Sequence, residues 1–292
     1  MNKRASAAVN SVFGRQLALV KPGELKRVRE PRTTALPQES LKLLSFNIQA
    51  GIGTRKFSEY ITGSWKHLKA ARNNRRNIER IAQVIQEYDL VALQEVDGGS
   101  YRSQFNNQLV HLANSGEFPF WHQQLNRNLG NWGQFSNGLL SRLVPYSVED
   151  YRLPGLPGRG AFVAKYGNPE LPLVVVGVHL ALSEKRRNEQ LAFLRDTLKQ
   201  YPYVIIMGDF NCTHKELLCS PITELDLQVK PMEATYPSWS PEQPIDHILV
   251  SKGLKATQRA VLDDCLLSDH LPVETKIWVP EDVRRASQAA NF

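Results

Sequence analysis

The chain is poor in cysteine and pairs none of it by spacing. Cys212, Cys219 and Cys265 are the three thiols among 292 residues, and no CxxC or comparable ligand spacing occurs. That excludes a disulfide-stapled fold and a thiolate-held metal, and suits free thiols in a reducing compartment, so a cytoplasmic location is expected. No uninterrupted apolar run approaches the roughly 18 residues that cross a bilayer, so no transmembrane segment is expected. Internal repeats and low-complexity tracts are absent, and the composition excludes a disordered or collagen-like chain. Acidic residues are missing from the first 23 positions, and the apolar stretch there is broken by Asn10 and Arg15. A secretory signal is therefore disfavoured, and a flexible basic extension or short amphipathic helix is expected over residues 1–40.

What is present is a composition 42% apolar and 22% charged, enough for one large α/β domain or two small ones. The formal net charge of +7 is unevenly placed. Residues 1–40 hold eight Lys/Arg against three Glu, and residues 55–80 hold eight against two, so the remainder is net acidic. Such a pattern suits a polyanion docking at one place, or a solvated tail and helix face.

From Leu41 the texture changes. Leu41–Ile48 alternates as a strand. Ile78, Ile81, Val84, Ile85 and Tyr88 recur at helical spacing within a helix predicted over 72–88. Asp89–Glu95 reads as a buried strand ending in a carboxylate. Residues 118–136, rich in Asn, Gly and aromatics, read as a loop that serves as a lid, a stacking wall or a small satellite core, followed by a short strand at 137–141. Segments 160–165 and 173–180 flank Gly167-Asn-Pro and predict a hairpin. A second helix is predicted over 184–200, and further strands over 203–207, 245–250 and 273–278. Residues 280–292 read as a frayed C-terminal tail.

Strand after predicted strand ends in a polar group: Asn47, Glu95, His179, Asp209 with Asn211, Asp246, and Asp269 with His270. One such ending commonly satisfies backbone groups. Six are hard to assign to turns, and strands lying side by side would bring them to one edge. Four carboxylates there need a counter-charge. Oxygen donors without thiolate favour Mg²⁺ or Mn²⁺, which leave open positions for phosphate oxygens and water. Two histidines supply proton donation and hydrogen bonding near neutral pH.

The segments Ser45-Phe-Asn-Ile, Leu93-Gln-Glu-Val, Val178-His-Leu, Met207-Gly-Asp-Phe-Asn, Ile245-Asp-His-Ile and Leu267-Ser-Asp-His-Leu-Pro resemble, in order, the motifs of the endonuclease/exonuclease/phosphatase superfamily across residues 41–279. The resemblance implies an α/β fold, a four-layer α/β/β/α sandwich of two mixed sheets packed face to face with helices outside. It implies a metal-dependent phosphoric ester hydrolase. Glu95 would be the main metal ligand, with Asn47 beside it and Asp269 contributing. Asp209 would position or deprotonate the attacking water, and Asn211 would hold a phosphate oxygen and orient Asp209. His270 would hydrogen-bond the scissile phosphate, with Asp246 fixing its tautomer. His179 matches the second histidine of the DNase I and sphingomyelinase branches and not the exonuclease III branch. Arg159 resembles a phosphate-facing arginine or is a strand-end surface group, and Asn137 fits a pattern near the site or forms an Asn-Gly turn. Thr235-Tyr-Pro-Ser is expected in the pocket wall, His247 on the opposite strand face, and His214 in solvent. His67, His111 and His122 have no nameable partner.

The bond type is better fixed than the substrate, since nucleic-acid and phospholipid phosphodiesters are equal expectations. Residues 55–80, with Tyr60, Trp65, Lys66, Lys69, Arg72, Arg75, Arg76 and Arg80, could grip a phosphate backbone, lie on an anionic membrane, or form an amphipathic helix with a wet basic face. The alternatives are an inositol-phosphate or other phosphomonoesterase and, in another class, a non-catalytic polyanion-binding module. The metal and base positions are intact, which favours an enzyme. A monomer is expected.

Overall fold

The computed structural model describes residues 26–27, 36, 39–51, 67–155 and 157–289. Tyr60, Trp65, Lys66 and most of the N-terminal extension therefore lie outside the described residues. In chain order the elements are β1 (Lys26–Arg27), β2 (Ser40–Asn47), α1 (His67–Ile85), β3 (Leu90–Asp97), α2 (Gln108–Ser115), β4 (Phe120–Asn128), β5 (Gln134–Ser141), β6 (Ser147–Arg152), β7 (Gly160–Asn168), β8 (Leu171–His179), α3 (Glu184–Leu198), β9 (Tyr203–Asp209), α4 (His214–Leu218), β10 (Leu227–Gln228), β11 (Asp246–Ser251), β12 (Ala260–Val261), β13 (Val273–Trp278) and α5 (Glu281–Ala289).

The strands form a seven-stranded sheet in the order β1-β6-β7-β8-β9-β11-β10 and a six-stranded sheet in the order β12-β13-β2-β3-β5-β4. Each sheet contains one parallel pair, β8–β9 and β2–β3, and the other pairs are antiparallel. A parallel pair needs a long crossover, and α3 and α1 supply it. Parallel strands send their carboxyl ends to one edge, where α/β sheets place ligands.

Period-2 alternation assigns the two faces of the central strands to different cores. Leu43, Val175, Ile205 and Met207 meet between the sheets with Phe162 and Tyr166. Their neighbours Val174, Val176, Val204 and Ile206 pack outward on Leu191, Leu194 and Leu198 of α3. Leu44, Phe46 and Val91 pack outward on Ile78, Ile81 and Ile85 of α1 and on Leu109 and Leu112 of α2. Three cores between four layers make the expected sandwich, each buried aliphatic contributing roughly 1.5–3 kcal/mol. No helix among the described residues is long and apolar enough to cross a membrane.

Two local expectations differ from the structure, and one strand was not anticipated. Residues 120–128, expected as loop, are strand β4, and the short strand expected at 137–141 begins earlier, at Gln134, and pairs with it as β5. Their polar residues are buried in pairs, which hid the alternation: His122 Nε2 lies 2.9 Å from Asp150 Oδ1, and Gln124 Nε2 donates to the Ala161 carbonyl at 2.9 Å. The same camouflage conceals β6, where Glu149 accepts from Lys165 Nζ at 2.9 Å. Residues 281–289 form a helix rather than a frayed end. Val283 enters the inter-sheet core, Leu36 N donates to Ser287 Oγ at 3.2 Å, and Asn168 Nδ2 donates to the Ala286 carbonyl at 3.1 Å.

Candidate active site

The end of β2, the β3 bulge and the loop before β13 face the ends of β8, β9 and β11 across the sandwich. His179 pairs with Asp209 in the parallel register and Asp246 with Asp209 in the antiparallel one, so three of the residues singled out from sequence are adjacent by backbone pairing alone. Gly208 precedes Asp209 at φ 155°, and a Cβ there would overlap the Val178 carbonyl. Glycine is thus what lets β9 lie this close to β8.

Asp209 is the hub. Its Oδ1 accepts from the Asn211 backbone N–H at 2.9 Å, and its Oδ2 accepts from Asn47 Nδ2 at 3.2 Å. The same Oδ2 is 3.3 Å from His179 Nε2 and 3.9 Å from His270 Nε2. Asn47 Oδ1 in turn accepts from the Gln49 N–H at 3.1 Å, and Asn74 and Gln108 anchor the following turn through the Ala50 carbonyl. Asn211, at φ 52°, ties its amide to the Leu180 carbonyl at 2.9 Å. It therefore orients Asp209 through its backbone, with one amide hydrogen already engaged.

His270 Nδ1 lies 2.8 Å from Asp246 Oδ2, which also accepts from Thr235 Oγ1 at 2.6 Å. Burial alone would depress His270, but the charge and hydrogen bond of Asp246, with Asp209 and Asp269, lift it to about 10. The ring is a cation at neutral pH, with Nδ1–H held and Nε2 turned toward Asp209. Tyr236 packs against it at 4.9 Å between centroids. Sequence placed Thr235 in the pocket wall, but its hold on Asp246 had no readable signal. Burial, and then the charge of Asp246 against that of His270, pushes Asp209 up to about 7.

His179 is the opposite case. Burial, then the positive charges of Arg159 and His270, holds it well below the ordinary imidazole value, so it is neutral. Arg159 Nη1 donates to His179 Nε2 at 2.8 Å, which requires the ring proton on Nδ1. Arg159 is half-buried, and Asp209 and Glu95 oppose the depression that burial imposes on it. Arg159 lines the same cleft as Glu95 and His179.

Glu95 is not at a strand end. β3 runs on to Asp97, and its register with β5 slips between Leu93 and Val96. Glu95 sits in this bulge at φ 56°, a left-handed conformation that costs a non-glycine residue about 1–3 kcal/mol. The bulge brings its side chain into a cleft of about 480 Å³ shared with Asn137, Arg159 and His179. Asp269 is near enough for the Glu95 charge to reinforce what burial does first, raising its carboxyl above the usual range against the pull of His270. Asn137 lines the cleft, but its Nδ2 donates to Gln124 Oε1 at 3.1 Å and to the Gly160 carbonyl at 3.0 Å, bracing the backbone next to Arg159. His247 points away, its Nε2 2.7 Å from the Cys212 carbonyl, and His214 is partly buried rather than in solvent.

The donor set fits a hard dication. No hydrogen bond engages the Glu95 carboxylate among the described residues, and burial pushes the Asp269 and Asp209 carboxyls upward despite the positive charge of His270. Oxygen ligands dominate and thiolates are absent. Asp209, Asp246 and His270 also place one ligand atom each within 4.8 Å of one another and could hold an ion. Protonated His270 offsets one of the two carboxylate charges of that trio.

Residues 44–270 match the model of the Endonuclease/Exonuclease/phosphatase family. No curated protein matches the chain. Among solved structures, an endonuclease/exonuclease/phosphatase from Beutenbergia cavernae is similar at 19% identity and TM-score 0.62, covering 83% of this chain and 72% of that one. A mannosyl-6-phosphatase from Bacteroides thetaiotaomicron is similar at 17% identity and TM-score 0.58, covering 82% and 100%. Truncated TDP2 from Caenorhabditis elegans follows at 15% identity and TM-score 0.55, covering 82% and 98%. At such identities the likeness is one of fold.

Proposed function

The chain belongs to the endonuclease/exonuclease/phosphatase family, and on that premise we propose that it is a divalent-cation-dependent phosphodiesterase in which water attacks phosphorus directly. The observation that carries the reading is the meeting of Asn47, His179 and His270 on one carboxylate oxygen of Asp209, with His179 and Glu95 lining one open cleft.

Glu95, Asp269 and Asn47 would hold Mg²⁺ or Mn²⁺, which when bound stabilises charge building on the phosphoryl oxygens. Asp209, held by Asn47 and the Asn211 N–H, receives the proton of the attacking water. His270 donates through Nε2 to a non-bridging phosphate oxygen, and Asp246 and Thr235 keep its other face anchored. Arg159 supplies a second cationic contact, and neutral His179 keeps it aimed. The water oxygen forms the new bond to phosphorus as the bond to the leaving oxygen breaks.

The test is turnover of bis-p-nitrophenyl phosphate beside p-nitrophenyl phosphate, with Mg²⁺ and after EDTA treatment. Expected is diester hydrolysis that EDTA abolishes and Mg²⁺ restores. Hydrolysis unaffected by chelation would remove the cation from the reading, and preferential monoester cleavage would make the protein a phosphomonoesterase.

A further inference from the structure

The cleft continues past the Asp209 cluster into a part whose chemistry ester hydrolysis alone does not require. Arg127 of β4 and Arg186 of the first turn of α3 line it with Arg159, against Phe135, Pro157 and Leu182. Glu189 engages Arg186 at 2.8 Å, an exposed contact that competes weakly for it.

Exposed apolar side chains stand on the segments that lead into the cleft wall. Eight large apolar side chains are exposed among the described residues, and five stand on the segments that frame it: Tyr101, Phe105, Leu129, Trp132 and Leu182. Trp132 is 78% exposed and Leu182 76%. The connection is traceable by hydrogen bonds. Phe135 in the cleft wall pairs with Asp97, whose carboxylate accepts from the Gly99 and Ser100 N–H groups at 2.8 and 2.7 Å and so fixes the turn that carries Tyr101. The Tyr101 ring packs on Phe105 at 4.7 Å and on Trp132 at 5.9 Å. Scattered exposed apolar residues are ordinary, but a rigid group of them around one cleft marks a contact surface.

A groove for single-stranded nucleic acid would carry cations outward along a track and leave aromatic faces open to bases. Here the rings are tilted edgewise onto one another, and the guanidinium groups lie inside an apolar rim. That order suits a charged lipid headgroup drawn into the cleft from a surface that accepts the rim. The three guanidinium groups of Arg127, Arg159 and Arg186 give this part of the cleft the positive charge that an anionic headgroup complements.

We propose that the protein docks on an anionic phospholipid bilayer through Tyr101, Phe105, Leu129, Trp132 and Leu182, and that Arg127 and Arg186 take the lipid phosphate that enters the cleft. The docking stands on its own; that the lipid's ester is then cleaved rests on the hydrolytic reading above.

The experiment is co-sedimentation of the full chain with phosphatidylglycerol vesicles and with phosphatidylcholine vesicles at low salt. Binding to phosphatidylglycerol is expected to exceed binding to phosphatidylcholine by about tenfold or more, and Trp132→Ser combined with Phe105→Ser to weaken it by about tenfold or more. Thermal midpoint and bis-p-nitrophenyl phosphate turnover should be unchanged in that variant, which shows that it folds. Arg127→Gln with Arg186→Gln should erase the preference for the anionic lipid. Failure to bind phosphatidylglycerol, or binding indifferent to Trp132 and Phe105, overturns the proposal. So does a tighter hold on a single-stranded oligonucleotide that the Trp132/Phe105 changes abolish, or a dimer that they dissolve. Vesicle binding needs no turnover, so failure of the hydrolytic reading and failure of the docking show up separately.

Discussion

Glu95 offers a test in which stability and activity should move apart. It occupies the left-handed region at φ 56° inside the β3 bulge. Replacing it by Ala removes the carboxylate but leaves a Cβ in the same strained backbone. Replacing it by Gly removes both, relieving about 1–2 kcal/mol of strain against about 0.5–1 kcal/mol of added chain entropy in the unfolded state. Glu95→Gly should therefore be more stable than Glu95→Ala by about 1 kcal/mol, a difference of about 3 °C in thermal midpoint for a domain this size. Both should lose Mg²⁺-dependent turnover of bis-p-nitrophenyl phosphate. Both should also lose the rise in midpoint that Mg²⁺ gives the parent, about 1.4 kcal/mol when the ion is tenfold above its dissociation constant. A Gly variant no more stable than the Ala variant would refute the strain argument. Undiminished turnover in either would take Glu95 out of the mechanism.

Two further outcomes follow from the same geometry. Asp246→Asn keeps a hydrogen-bond acceptor for His270 but withdraws the charge that outweighs burial, so His270 should titrate at or below its ordinary value of about 6.5. The parent, with His270 at about 10, should hold its rate until alkaline pH, whereas the variant should fall about tenfold per pH unit above neutrality and be about 30-fold slower at pH 8; superimposable pH–rate profiles would remove Asp246 from that role. Gly208→Ala forces a Cβ onto the Val178 carbonyl at a φ of 155° and should cost about 2 kcal/mol or more in urea unfolding, and a loss under 0.5 kcal/mol would mean that β8 and β9 are not held at this spacing.

The central strands were legible because Val174–Val178 and Ile205–Met207 are apolar on both faces, as strands covered on both sides must be. The polar endings Asn47, His179, Asp209 and Asp246 were legible because each interrupts such a run. What escaped sequence reading escaped for identifiable reasons. β4 and β6 bury His122, Gln124, Glu149 and Asp150 in pairs made with distant residues, so their pattern reads as loop. The bulge at Glu95 depends on one backbone angle that no neighbouring glycine announces. Arg127 and Arg186 look like ordinary solvated charges until the hairpin and the helix N-terminus face each other across the cleft. The α5 helix carries few apolar residues, and Val283 alone enters the inter-sheet core.

The two sheets contribute to the polar cluster in halves: Asn47, Glu95, Asp269 and His270 belong to one side, His179, Asp209 and Asp246 to the other. The bridges between halves are single short contacts, Asn47 to Asp209 at 3.2 Å and His270 to Asp246 at 2.8 Å. An apolar interior tolerates a small slide of one layer over the other, but aligned polar contacts do not, and misplacing a reacting group by about 1 Å is enough to cost about a hundredfold in rate. The centre is therefore a vernier for the alignment of the layers, and loosening between them during heating or denaturation will silence it while the strands themselves are still intact.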